Sequence, residues 1–302
     1  MKKEKRPEYQ YSRSLKSDYS DELINTYILR PIAGVIVKIL YPTPVTPNQV
    51  TVVAIIIGIC ASYFYWIGKS YATLLAGVLV TFKDLLDSAD GQLARAKNLF
   101  SRRGRFLDSI GDFVVDLLIF TAITIALYRV SGSASTVILG AAGFLGLTLR
   151  VSYHVFYHVS YLHAHDQYQT NRLIEEIRDE DRRGDPVALR LKQVFVLIYS
   201  WQDRMMMRID EWSKSGRKRP DGTKRQEFNQ LWYSDEAGLR ISGFLGLGTE
   251  LAILTVCSLL DNLILYLCIN VFVMNGIWLA AVLYRRTILA PSLSRRTTSV
   301  TE

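Results

Sequence analysis

Apolar residues in this chain are gathered into six runs separated by charged segments, and that segregation constrains the fold more than any other feature. The runs cover residues 50–67, 71–82, 117–128, 136–149, 241–260 and 263–283. A helix needs about 20 apolar residues to cross the hydrocarbon layer of a membrane. The second, third and fourth runs are too short alone, so each must continue through polar residues: 83–95, 104–116 and 150–158. Polar helix halves at membrane depth are tolerated only where they face protein or water. The short runs therefore predict a wet cavity inside a helical bundle. The expected fold is all-α, a polytopic membrane protein with six transmembrane helices.

The loops predict an orientation. Segments between the first and second, third and fourth, and fifth and sixth runs hold only Lys69 and Arg129. The opposite side carries eight Lys/Arg before Thr46, five from Arg95 to Arg105, fifteen from His163 to Arg240 and four after Tyr284. Positive charge accumulates on the cytoplasmic side of short loops, which places both termini and the cavity mouth in the cytoplasm. The net charge of +8 is thus mainly a topology signal, with modest attraction to anionic headgroups added, and nothing beyond charge favours nucleic acid. An apolar content of 49% excludes a disordered chain. Cys60, Cys257 and Cys268 all fall in apolar runs, which excludes a disulfide scaffold. The charged N-terminus, with no cleavage site behind a short apolar core, gives no expectation of a removable signal peptide.

Five segments follow: a cytoplasmic N-terminus (1–46), four spans (47–162), a cytoplasmic helical insertion (163–239), two further spans (240–289) and a cytoplasmic tail (290–302). Within the first, residues 24–40 read as an amphipathic interfacial helix, in which Arg30 and Lys38 flank an apolar face of Ile28, Leu29, Ile32 and Ile36. Pro42, Pro44 and Pro47 then break the chain before the first span. From His163 to Arg240 there are fifteen basic and fourteen acidic residues, so the insertion is no simple anion-binding tail. Its stretch 189–212 is helical in period and can either lie on the membrane or pack as a hairpin on itself.

The chemistry concentrates in Asp87-Ser88-Ala89-Asp90-Gly91-Gln92-Leu93-Ala94-Arg95 and, eight residues on, Gly104-Arg105-Phe106-Leu107-Asp108-Ser109-Ile110-Gly111-Asp112. Spacings of three and four put each aspartate pair on one helix face, and the short turn makes the helices antiparallel neighbours. Four carboxylates at that depth need protons or a cation to balance them. Hard oxygen ligands suit one or two Mg²⁺ or Mn²⁺ ions, which favour phosphate-bearing substrates. Gly91, Ala94 and Gly104 leave room for a ligand against the backbone, and Arg95 offers a fixed cation. Asp84 and Asp116 extend the two faces by a turn and read as cavity wall.

The pattern Asp-x2-Asp-Gly-x2-Ala-Arg-x8-Gly-x3-Asp-x3-Asp resembles the signature of the CDP-alcohol phosphotransferase family at every defined position. The six-helix count and the Pro47-Asn48-Gln49-Val50-Thr51 lead into the first span are also similar, and the resemblance runs from about residue 25 to 290, weakest in the insertion. It implies an enzyme in which a hydroxyl attacks the β-phosphorus of a CDP-linked alcohol and CMP leaves. It implies a two-metal site on Asp87, Asp90 and Asp108 with a contribution from Asp112, and Asp112 as the base. It implies a CDP site lined by Asp87, Gly91, Ala94, Arg95 and Gly104, with Asn48 and Thr51 as neighbours, and a homodimer. The donor can be CDP-diacylglycerol with a polar acceptor, phosphorylated or not, or a CDP-linked headgroup with a lipid acceptor.

Arg150, His154 and His158 form a polar stripe on the fourth span. Arg150 and His154, joined by Arg240, can bind an anionic acceptor, which favours the first substrate pair. The competing reading pairs Arg150 with Glu250, the lone acid deep in the fifth span, and both stand open on sequence. An ion-coupled transporter using the same aspartates is the alternative from another class.

Overall fold

A computed structural model describes residues 10–11, 22, 24–165, 175–215 and 223–299. No strand occurs among them. The helices are α1 (Arg30–Leu40), α2 (Pro47–Ile67), α3 (Ser70–Lys97), α4 (Arg102–Ser131), α5 (Ala134–Ala164), α6 (Asp179–Arg183), α7 (Pro186–Lys214), α8 (Thr223–Tyr233), α9 (Glu236–Gly243), α10 (Leu247–Leu259) and α11 (Leu263–Ser294). Five helical stretches are long and apolar enough to cross a membrane: α2, α4, α5, α9 with α10, and α11. The other expected span lies in α3, whose 28 residues are long enough but whose second half carries the charged motif. Ile56, Tyr63, Phe272 and Leu279 are exposed on these helices, the inverse of a soluble protein's surface. The protein is an integral, multi-pass membrane protein.

Local sequence explains where the helices start and stop. Thr46 and Gln49 form a reciprocal capping box at the start of α2, with Pro47 in its first turn. Asn98 closes α3 in the left-handed conformation (φ 54°), which asparagine tolerates through its short polar side chain. Three residues later Ser101 caps α4 by accepting from the Gly104 N–H at 2.9 Å. The turn reverses the chain, but α3 and α4 do not pack closely on each other, contrary to the expectation from sequence; both pack on α2.

The bundle is close because small residues line its seams. Ala54, Gly58 and Ala61 of α2 are buried, and a Cβ on Gly58 would lie 2.5 Å from a Val115 methyl. Without a hydrophobic drive between helices in lipid, such small-residue seams provide the packing. Below the motif, Ala61, Tyr65, Val80, Val115, Ile119, Phe120, Leu254 and Tyr266 form one apolar core.

Three further expectations change. The N-terminal helix begins with a wide turn at Asn25–Leu29 and packs Leu29, Ala33 and Val37 inward, leaving Ile28, Ile32, Val35 and Ile39 exposed. Arg30 is buried rather than flanking, because α1 lies along α3 and Gln92 donates to the Arg30 carbonyl at 3.0 Å. The fifth run is not one helix: α9 ends at Gly243, the chain bends, and α10 starts at Leu247. Glu22 fills the bend and accepts from the Gly248 N–H at 2.7 Å; a Cβ on Gly246 would overlap its carboxylate.

The insertion packs on the transmembrane helices. Phe195 of α7 sits 5.2 Å from Phe106, and Tyr199 donates to the Ser109 carbonyl at 2.7 Å. Further along α7, Asp210 accepts from Tyr157, Trp232 and Tyr233. Its acidic end meets the first turn of α4: Arg102 pairs with Asp181, Arg103 with Asp185 and Arg105 with Glu175. The hydrogen bond from Lys192 is the main cause that holds the Asp181 carboxyl well below the usual carboxylate range. Val194, Leu197 and Trp201 remain exposed on the outer face of α7.

Candidate active site

The two halves of the motif face each other from α3 and α4, which both pack on α2, and it is their side chains that meet. Asp87, Asp90 and Asp108 each present an oxygen within 4.8 Å of the others. Thr51 of α2 donates to Asp90 Oδ2 and so fixes one carboxylate from a third helix. An Asp108 oxygen, Oδ1, is buried with no hydrogen-bond partner among the described residues. Buried polar atoms are normally paired, so a lone carboxylate oxygen within a group of three fits a cation better than a purely structural seam. The donor set, all carboxylate oxygen, matches Mg²⁺ or Mn²⁺.

Asp112 stands apart from that group. Its Oδ1 is held by the ammonium of Lys83, which is 2% exposed and sits one turn before Asp87 on α3. Asp84 and Asp116, both buried, complete a second acidic layer around Lys83. By sequence Lys83 reads only as the start of the polar helix half at 83–95, and its place one turn ahead of the first aspartate is the signal that marks it.

The expected CDP-site residues gather beside the carboxylates. The Arg95 guanidinium lies over Gly91, with Nη1 3.5 Å from where a Cβ would stand. Asn48 and Gly104 touch across α2 and α4: a Cβ on Gly104 would sit 2.3 Å from Asn48 Oδ1 and 2.8 Å from Ser101 Oγ. Ala94 follows Asp90 by one turn on the same helix. Lys97 donates to the Thr43 and Val45 carbonyls, both at 2.8 Å, and so ties the proline-rich lead of α2 to the end of α3. Gly104→Val is expected to push Asn48 aside and raise the KM for a CDP donor by roughly tenfold or more with a smaller change in kcat. Steady-state kinetics against donor concentration checks this.

The three residues expected at an acceptor site have different partners. Arg150 is fully buried and bonds Glu250 Oε2 at 2.9 Å, Asn275 Oδ1 at 2.5 Å and the Asn270 carbonyl at 3.0 Å. Asn270 in turn donates to Glu250. This network clamps α5, α10 and α11, the structural alternative for Arg150. Arg240 is exposed and pairs with Glu236 one turn away on α9. His154 lies 3.9 Å from the Glu22 carboxylate, which shares the Gly248 corner with Asp84. No local pattern marks Glu22, whose partner at Gly248 is 226 residues away.

Comparisons with known proteins match the part of the chain that carries the motif. Residues 44–170 match the family model described as CDP-alcohol phosphatidyltransferase, a stretch that runs from the lead of α2 past the end of α5. The chain is similar to the bifunctional IPC transferase and DIPP synthase of Archaeoglobus fulgidus, with 33% identity over 118 residues, 36% of this chain and 22% of that protein. It is also similar to the archaetidylinositol phosphate synthase of Pyrococcus horikoshii, with 37% identity over 88 residues, 29% of this chain and 45% of that protein. A bifunctional IPC transferase and DIPP synthase of Thermococcus kodakarensis shares 35% over 96 residues, 32% of this chain and 21% of that protein. The chain thus spans less than half the length of these relatives.

Proposed function

We propose, for a chain that belongs through residues 44–170 to the CDP-alcohol phosphatidyltransferase family, that it transfers the phospho-alcohol of a CDP-linked donor to an acceptor hydroxyl and releases CMP. The observation that carries this reading is the convergence of Asp87, Asp90 and Asp108, with one buried carboxylate oxygen left over, beside Asn48, Arg95 and Gly104. Asp87, Asp90 and Asp108 hold Mg²⁺ or Mn²⁺, which when bound neutralises charge on the donor's diphosphate.

The chain's own residues do the rest. Thr51 holds Asp90 in its rotamer. Arg95, lying over Gly91, meets the diphosphate as a planar two-pronged donor. Asn48, seated on the bare backbone at Gly104, borders the nucleotide's place beside the carboxylates. Asp112 takes the acceptor's proton at Oδ2, since Lys83 occupies Oδ1. The new phosphorus–oxygen bond forms as the bond to CMP breaks, and the proton ends on Asp112.

The favoured donor is a CDP-linked lipid and the favoured acceptor a polar alcohol carrying phosphate. The Pyrococcus relative, named for an archaetidylinositol phosphate product, supports this pair. His154 is the acceptor-side residue, because it meets Glu22 at the corner shared with Asp84, one turn from Asp87. The active site and both termini face the cytoplasm, on the strength of the loop charges. CMP release from purified protein, with lipid and headgroup donors each offered a panel of acceptors, tests the reading. CMP from a CDP-lipid with a phosphorylated polar acceptor is expected; CMP only with a diacylglycerol acceptor would reverse the pair, and ion flux without CMP would favour a transporter.

A further inference from the structure

The motif has four aspartates, yet only three of them share a ligand position. The fourth, Asp112, is engaged by a residue that lies outside the motif altogether. Lys83 follows the helical register of the catalytic face, four residues before Asp87 and seven before Asp90. Its side chain crosses to α4 and meets Asp112 Oδ1. It is 2% exposed, and the carboxylates around it are Asp112, Asp87, Asp116 and Asp84.

We infer that Lys83 is a positioning residue whose ammonium takes the place of a second divalent cation beside Asp112. The inference rests on the metal reading of Asp87, Asp90 and Asp108 given above. An ammonium has three donors and no acceptor, so it cannot ligate a metal while it holds a carboxylate. It also repels a divalent ion strongly at contact distance in a protein interior. A metal bound to Asp87, Asp90 and Asp108 therefore leaves Asp112 to Lys83. That arrangement keeps Asp112 turned towards the acceptor with one oxygen fixed and one oxygen for the proton. A lysine that merely neutralised the acidic layer would leave the metal count indifferent to its charge. A lysine that occupies a cation's place makes the count depend on it.

The test is the number of Mn²⁺ ions held at saturation by the full-length protein in lipid nanodiscs, without any CDP donor, counted by the electron paramagnetic resonance of free Mn²⁺. The wild type is expected to hold one per chain, and Asp87→Asn none. Lys83→Met is expected to hold two, Lys83→Arg one, and Lys83→Met with Asp112→Asn one again. Lys83→Arg should keep most of the kcat that Lys83→Met loses, since charge at that position is retained. Two ions in the wild type, or one in Lys83→Met, overturns the inference while the metal reading stands. No Mn²⁺ in the wild type overturns both. The wild-type count decides the matter even if Lys83→Met fails to fold.

Discussion

Asp112→Asn is expected to lower CMP release by about 10²–10⁴-fold, the range for loss of a positioned general base. The same variant is expected to keep its Mn²⁺, because Asp112 lies outside the three-aspartate group and is held by Lys83. Asp90→Asn should lose both, since Asp90 contributes an oxygen to that group and anchors Thr51. The contrast separates two jobs that a sequence motif runs together. Kinetics of both variants alongside metal titration reads it directly. Loss of Mn²⁺ in Asp112→Asn would return Asp112 to the ligand set.

Glu250→Ala is expected to destabilise the protein by about 3–5 kcal/mol, the cost of leaving one partner of a buried ion pair uncompensated. Arg150 would then keep only neutral partners, the Asn270 carbonyl and Asn275 Oδ1, in a position with no exposure. Arg150→Met with Glu250→Leu should recover most of that loss, because replacing both charges by apolar side chains of similar size removes the uncompensated charge. Thermal unfolding in a defined detergent measures the three proteins on one scale. The double variant also decides between the readings that sequence left open for Arg150. If the residue clamps α5 to α10 and α11, the KM for a phosphorylated acceptor is unchanged in the folded double variant. A large rise in that KM alone would restore Arg150 to the acceptor site.

How far the sequence reached depends on the range of the interaction concerned. The convergence of the aspartates was legible because spacings of three and four, joined by a short turn, allow little else. Thr51 and Asn48 were legible only through family resemblance, and the structure brings Thr51 to Asp90 and Asn48 to Gly104. Whether Asp112 meets a metal or an ammonium turns on which cation that carboxylate binds more tightly. Helical period places Lys83 on the right face but says nothing of that competition. The bend between α9 and α10 was hidden for another reason. Gly246 and Gly248 sit in an apolar run that reads as one helix, and what breaks it is Glu22, brought from far away in sequence. The insertion was hidden too, because one face of α7 buries polar side chains such as Gln202 and Asp210 against α5 and α8. A hydropathy pattern cannot tell such a face from one turned to water.

The central claim is that Asp87, Asp90 and Asp108 hold a cation for transfer from a CDP donor. The most direct measurement is CMP release by the purified protein in lipid, with a CDP-lipid donor and phosphorylated polar acceptors, in Mg²⁺ or Mn²⁺ and again with chelator. The account predicts CMP release that needs the metal, that stops with chelator and that returns when metal is added back. CMP release at the same rate in chelator, or none from any donor and acceptor pair by folded, Mn²⁺-loaded protein, would contradict it.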